Sequence, residues 1–281
     1  MIQLENLTFA YRRSHPILSA VTTSLHDGHI HGLLGGNGIG KSTLLKLVCG
    51  MLYPTAGSIS VDGIESRRRE RALFANLLFV PEEFELPQIS LQRYVNITAP
   101  FYPDFSFEEF VRNCEQLEVS PTHRMDKLSM GQRKKGIIAF ALACNTRNLL
   151  LDEPTNGLDI PSKSAFRRLL TAYALPDRCI VLSTHQVRDV ENLIDNVVIL
   201  DQAGIVLNAT ADRITDTLYF GTIDKEDEAL YTDPSTFGRQ GVVRNAAGSE
   251  SRLSLEMLFQ AAAAQREKIH ALFHTNAADH E

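Results

Sequence analysis

Residues Gly35 to Thr43 read "GGNGIGKST", and this short stretch decides the fold. It carries the spacing G-x-x-x-x-G-K-S, with the apolar run "IHGLLG" leading into it and "KSTLLKLVCG" leading out. Strand, glycine loop and helix in that order make a P-loop. Gly35, Gly36, Gly38 and Gly40, with Asn37 and Ile39 between them, let consecutive backbone N–H groups turn inward around phosphate oxygens. The helix that follows aims its positive end at the same oxygens. Lys41 has the reach for β- and γ-phosphates, the Ser42 hydroxyl is placed to ligate Mg²⁺, and Thr43 completes the stretch.

Two more short apolar runs end in polar residues: "NLLLDEP" at Asn148–Pro154 and "CIVLSTH" at Cys179–His185. Runs of this kind suit buried strands of a parallel sheet, whose C-terminal ends carry the ligand site. At such an end Asp152 can hold Mg²⁺ through water, and Glu153 beside it can orient and deprotonate an attacking water. His185 ends the other run, where an imidazole can hydrogen-bond a γ-phosphate. The cluster "HDGHIH" (His26, His29, His31) contains metal-ligand residue types, yet it reads better as a hairpin around Asp27-Gly28.

The chain has 281 residues, enough for one large domain or two of ordinary size. Its 44% apolar and 22% charged residues are those of a soluble globular protein. The net charge is −6 without a basic tail, which argues against a nucleic-acid partner. Cys49, Cys114, Cys144 and Cys179 form no C-x-x-C pair, as expected of reduced, mostly buried thiols in a cytosolic protein. The opening "MIQLENLTFAY" alternates like a strand and lacks the apolar core of a signal peptide. The longest apolar run, "IIAFALAC" (Ile137–Cys144), falls far short of the ~18 residues a membrane span needs. Any membrane span must then come from another chain.

The first thirty-odd residues predict antiparallel strands, and from Ile30 the pattern becomes α/β. Strand signals vanish between Phe84 and Arg147, where "FSFEEFVRNCEQLEV" has the period of an amphipathic helix. "NVVILDQAGIVLNA" predicts a hairpin. Beyond Thr210 the chain turns more polar, then "LSLEMLFQAAAAQREKIHALF" predicts one helix with Leu255, Leu258, Phe259, Ala262, Ile269 and Phe273 on one face. The closing "HTNAADHE" reads as frayed. The expected fold is therefore α/β: a P-loop NTPase core with an N-terminal antiparallel β subdomain, an inserted helical subdomain (about 84–147) and a small C-terminal α+β extension. The core spans 1–210 and the accessory extension 211–281.

These pieces, in this order, resemble the nucleotide-binding subunit of an ABC transporter. The resemblance covers Met1 to about Thr210. It is carried by Tyr11, Gly35–Ser42, a switch loop at "FVPEE", the signature "LSMGQ" at Leu128–Gln132, Asn148–Asp152, Glu153, "GLD" at Gly157–Asp159, and His185. It implies an ATP hydrolase using ATP and Mg²⁺, in which two cassettes (here a homodimer) meet head to tail and bury two ATP molecules. In such a dimer Tyr11 stacks on the adenine, while Lys41, Glu153 and His185 form the catalytic set. Ser129, Gly131 and Gln132 reach the γ-phosphate of ATP held by the opposite cassette, and Asp159 shapes the interface. A serine hydroxyl, a close glycine N–H and the start of a helix are suited to that task.

The chain departs from the family at Met130, where glycine is usual, at Asn148, where an apolar residue is usual, and at Glu82, where glutamine is usual. Glu82 is expected to join Ser42 and Asp152 as a Mg²⁺ ligand. The implied partner is a multi-span permease, which would hold this chain at the cytoplasmic face of the cell membrane. "YPDFSFEEF" and "KLSMGQRKK" look most like exporter cassettes, so export is the expected direction; an importer ATPase is the nearest rival, although many carry a longer C-terminal domain. A DNA-repair or translation ATPase of the same family would add a long coiled coil or a second cassette, and this sequence has neither. A regulatory module without turnover is disfavoured by intact Lys41, Asp152 and Glu153.

Overall fold

The computed structural model describes residues 1–12, 15–85, 87–223, 229–233 and 240–274. The end predicted to fray lies outside these, apart from His274. The chain opens with β1 (Ile2–Phe9), β2 (Leu18–Leu25), β3 (His29–Leu34), α1 (Lys41–Val48), β4 (Ala56–Val61), β5 (Ile64–Glu65), α2 (Arg71–Asn76) and β6 (Leu77–Val80). Helices α3 (Leu91–Thr98), α4 (Phe107–Gln116) and α5 (Met130–Ala143) follow. Then come β7 (Asn148–Asp152), α6 (Ile160–Tyr173), β8 (Cys179–Thr184), β9 (Asn196–Asp201) and β10 (Gly204–Thr210). The extension holds α7 (Ala211–Thr217), β11 (Leu218–Thr222), β12 (Tyr231–Thr232), β13 (Gln240–Arg244), α8 (Leu255–Ala264) and α9 (Arg266–His274).

Alternation along β1 explains the first sheet. Ile2, Leu4, Leu7 and Phe9 are buried while Glu5 and Asn6 are exposed. The extra residue is absorbed by a register shift between Leu4 and Leu7, where Asn6 takes φ 47°. The sheet order is β2-β1-β4-β5, all antiparallel.

The central sheet runs β10-β9-β3-β8-β7-β6, with every pair parallel except β9–β10. Its strands are buried on both faces, and alternate residues enter different cores. In β8, Cys179 and Val181 pack with α1 and the antiparallel sheet, whereas Ile180 and Leu182 pack with α5 and α6. Burying side chains of this size is worth ~1.5–3 kcal/mol each. That is why the β8 sequence is apolar without a gap until Ser183. Helix α5 is buried from Gly136 to Ala143, as a helix needs to be when it lies between sheet and α4. Phe110 of α4 is fully buried against it, and Asn113 Nδ2 donates to the Ala139 carbonyl at 3.2 Å.

Two expectations are corrected. Residues around Asp27-Gly28 do not join a hairpin, because β2 and β3 lie in different sheets. The turn, with Gly28 at φ 81°, carries the chain from a one-face-buried strand to a two-face-buried one, which needs parallel neighbours. The C-terminal run forms two helices rather than one, broken at Gln265 (φ −130°, ψ 48°), so that Ile269 and Phe273 bury on their own helix. The extension does not have a separate core: Leu218, Phe220, Val242, Leu255 and Ile269 share one apolar cluster with the central sheet.

Candidate nucleotide site

Parallel register lines up four strand ends. Side by side stand β3, β8, β7 and β6, and from their C-terminal ends emerge Gly35, His185, Asp152-Glu153 and Glu82 respectively. The loop 37–43 encloses a cleft of about 380 Å³ together with Ile17, Glu82, Glu153 and His185. The loop needs its glycines: Gly40 sits at φ 110°, and a Cβ there would lie 2.7 Å from the Ile17 side chain.

Lys41 is only 7% exposed and donates from Nζ to the carbonyls of Gly35 (2.7 Å) and Gly36 (3.1 Å). Burial pushes its ammonium below the usual lysine value, while the carboxylates of Glu153, Asp152 and Glu82 pull it back up. Tyr11 stands at the cleft's rim, 58% exposed, its hydroxyl 3.3 Å from Thr43 Oγ1 and its ring edge-on to Phe9.

The two acids at the end of β7 are held by two consecutive residues of β8. Ser183 Oγ donates to Asp152 Oδ1 in a very short bond, and Thr184 Oγ1 donates to Glu153 Oε2 at 3.1 Å. Glu153 Oε1 also accepts from the His185 backbone N–H at 2.9 Å and lies 2.6 Å from His185 Nδ1. That pairing leaves Nε2 as the ring nitrogen for a phosphate. Glu153 adopts φ 46°, left-handed for a non-glycine residue, a strain of ~1–3 kcal/mol that its surroundings must hold. They do so at both ends. The Glu153 N–H donates to the Ser183 carbonyl at 3.0 Å, and its carbonyl accepts from the Asn156 N–H at 3.2 Å and from Lys134 Nζ at 2.9 Å. Glu82 Oε1 accepts from Asn156 Nδ2 at 2.7 Å.

Ser129, Gly131 and Gln132 do not line this cleft. They start α5 instead. Ser129 Oγ accepts from the Gln132 N–H at 3.3 Å, and Gln132 Oε1 accepts from the Ser129 N–H at 3.2 Å, a reciprocal capping box. Gly131 is required by its own chain: a Cβ there would lie 2.8 Å from the Gly157 carbonyl. Asp159 caps α6, accepting from the Ser162 N–H at 2.9 Å, and these hydrogen bonds hold its carboxyl below the usual range. Sequence reasoning missed Ile17, Ser183, Thr184, Asn156 and Lys134. Ser183 and Thr184 had a signal, being polar residues ending an apolar strand. Lys134 had none, because a lysine inside "RKK" reads as solvated, yet it is 1% exposed.

The family profile described as ABC transporter matches residues 18–156. The energy-coupling factor transporter ATP-binding protein EcfA2 of Ligilactobacillus salivarius is 30% identical over 231 residues, covering 76% of this chain and 80% of the relative. Nod factor export ATP-binding protein I of Neorhizobium galegae is 30% identical over 210 residues, 71% of this chain and 59% of the relative. A solved ATP-binding subunit of an ABC transporter, 24% identical, superimposes with a TM-score of 0.69 over 76% of this chain and 91% of the other, which supports the fold. With the P-loop, Glu153 and His185 brought to one cleft, the chain belongs to the ABC transporter family as an ATP-binding, ATP-hydrolysing subunit.

Proposed function

We propose that this ATPase subunit hydrolyses Mg-ATP at the interface of a head-to-tail homodimer and thereby drives export through a separate permease. The observation that carries the reading is the convergence of Lys41, Glu153 and His185 on one cleft, with Asp152 next to Glu153 at the end of β7, while Ser129 is exposed at the start of α5 outside it. Two copies placed head to tail complete each cleft with the other's α5 terminus. In that arrangement the loop 35–43 cradles the phosphates, Tyr11 stacks on the adenine and Ile17 adds apolar contact. Glu153 takes the proton of the attacking water and His185 holds the γ-phosphate from Nε2. Ser129, Gly131 and Gln132 supply the helix start that faces the partner's γ-phosphate.

The residues present fit Mg²⁺. Ser42, Asp152 and Glu82 offer only oxygen, which a hard cation prefers, and phosphates and water supply the remaining ligands. Among the described residues no group of three or more His, Cys, Asp or Glu forms a metal cage, and Mg²⁺ with ATP does not need one. When bound, the ion neutralises phosphate charge.

Among the described residues no helix is long and apolar enough to cross a membrane, so the permease is proposed as another chain that holds this one at the cytoplasmic face. A groove of about 490 Å³ beside the cleft, between residues 82–85 and Met130, Arg133 and Lys134, is the proposed docking place. Glu82 lines both groove and cleft, which suits a residue that reports nucleotide to the permease. Relatives named for export and for import both occur, and export is taken here from the likeness of "YPDFSFEEF" and "KLSMGQRKK" to exporter cassettes. It predicts that ATP loads cargo into inside-out vesicles carrying both chains; loading of right-side-out vesicles alone would reverse the direction.

The dimer is tested by mixing Lys41→Ala chains with Ser129→Arg chains, each expected to be nearly inactive alone. A heterodimer puts both lesions at one shared site and leaves the other whole, so activity should return toward a quarter of wild type. Normal hydrolysis by pure Ser129→Arg would exclude the trans role.

A further inference from the structure

We infer that Lys134 is a positioning residue that ties the signature helix to the Glu153 backbone of its own chain and thereby sets the angle of the Glu153 carboxylate. The inference rests on Glu153 being the base, and it adds a residue that no motif assigns.

Lys134 lies on α5, five positions after Ser129, in the first turns of a helix that begins at the capping box. Its side chain is 1% exposed, and Nζ donates to the Glu153 carbonyl at 2.9 Å. Burying an ammonium is costly unless something on the site requires it. What surrounds it are acids: burial pushes its pKa down, and Glu82, Glu153 and Asp152 raise it, the same three that act on Lys41. The two lysines therefore face one acidic group, Lys41 from the phosphate loop and Lys134 from the signature helix.

The contact is to a backbone carbonyl, and that carbonyl belongs to the residue with φ 46°. Rotation of this peptide swings the carboxylate relative to Thr184 and His185, which hold its two oxygens. Reaction rates are sensitive to such displacement, since ~1 Å of misplacement costs on the order of a hundredfold. Met130 and Gly131, at the other end of the same helical turn, abut Gly157, so the start of α5 is braced on the loop that follows Glu153. A push on Ser129 by the partner's nucleotide would then travel along a short rigid helix to Lys134 and to Glu153.

The test uses the full chain and compares Lys134→Met, Lys134→Arg and Glu153→Gln. Methionine keeps an unbranched apolar stem, one atom shorter, and loses the donor and charge; arginine keeps both. We expect Lys134→Met to bind a fluorescent ATP analogue within about twofold of wild type, at a similar thermal midpoint, while kcat falls about tenfold at unchanged KM. Lys134→Arg should recover at least a third of the rate. A Lys134→Met kcat within about twofold of wild type overturns the inference. So does a matched loss of kcat and ATP affinity that Lys134→Arg does not relieve, which marks a merely structural lysine. Lys134→Leu, which likewise lacks donor and charge, is read by the same criteria if the methionine variant does not fold. Glu153→Gln separates this from the base assignment. If it hydrolyses normally, both fall; if it is inactive beside an active Lys134→Met, only the inference about Lys134 falls.

Discussion

The end of β7 and the start of α5 both carry residues assigned to the ATP site, and they are held in different ways. Around Asp152 and Glu153 every side-chain oxygen but one accepts from a named neighbour, and those neighbours are fixed by strand register: Asp152 stands opposite Ser183. Around Ser129 the side-chain bonds return to the helix itself, and Met130 is 55% exposed. One region is a finished network within the chain; the other is a stable helix terminus that leaves Ser129 and Met130 exposed. Self-sufficiency of the first and openness of the second are what a site shared between two copies requires.

The largest effect expected is on the finished network. Glu153→Gln keeps the shape but turns one accepting oxygen into an N–H donor and removes the base, so hydrolysis should fall by ~100-fold or more while ATP still binds. Gel filtration with ATP should then reveal a persistent dimer; unimpaired turnover would remove Glu153 as base. Ser129→Arg attacks the open region, and should cost at least ~10-fold in hydrolysis with little change in thermal midpoint, since its burden falls on the partner. If that variant instead unfolds while ATP hydrolysis per folded molecule is normal, the contrast between the two regions collapses.

Gly131→Ala is a smaller perturbation with a local cause. The new Cβ meets the Gly157 carbonyl, a backbone atom that cannot rotate away, and the expected loss is ~1–3 kcal/mol in denaturant unfolding. Ser129→Ala should lose only the cap, ~1 kcal/mol, and shift the midpoint a few degrees. Were Gly131→Ala as stable as wild type, Gly131 would be needed only by the partner. The smallest effect concerns Glu82. Glu82→Gln removes a charge near Asp152 and Glu153 while retaining an oxygen that can accept from Asn156. Hydrolysis should persist with a few-fold change in the Mg²⁺ concentration for half-maximal rate. Superimposable Mg²⁺ titrations would mean the charge is not felt at the metal.

Much of the first region could be read residue by residue. Gly35–Thr43, Asp152, Glu153 and His185 are local patterns, and a parallel sheet brings strand ends together whatever lies between them in the chain. Register, which places Ser183 opposite Asp152, depends on pairing between segments thirty residues apart and leaves no mark in either segment alone. The same holds for the turn at Asp27-Gly28. Its residues promise a hairpin, and only the demand of β3 for neighbours on both sides sends it into another sheet.

By itself the sequence determined the P-loop, the α/β class of the core, the two acids and the helix that starts at the signature, because each rests on spacing within a dozen residues and on backbone chemistry that is local. Tertiary structure alone decided that the extension shares the central core, that Glu82 lines cleft and groove together, and that Lys134 is buried beneath Glu153. Burial is a property of what packs over a residue. A lysine between two basic neighbours carries no sign of the acids that will surround it once α5 is laid against β7.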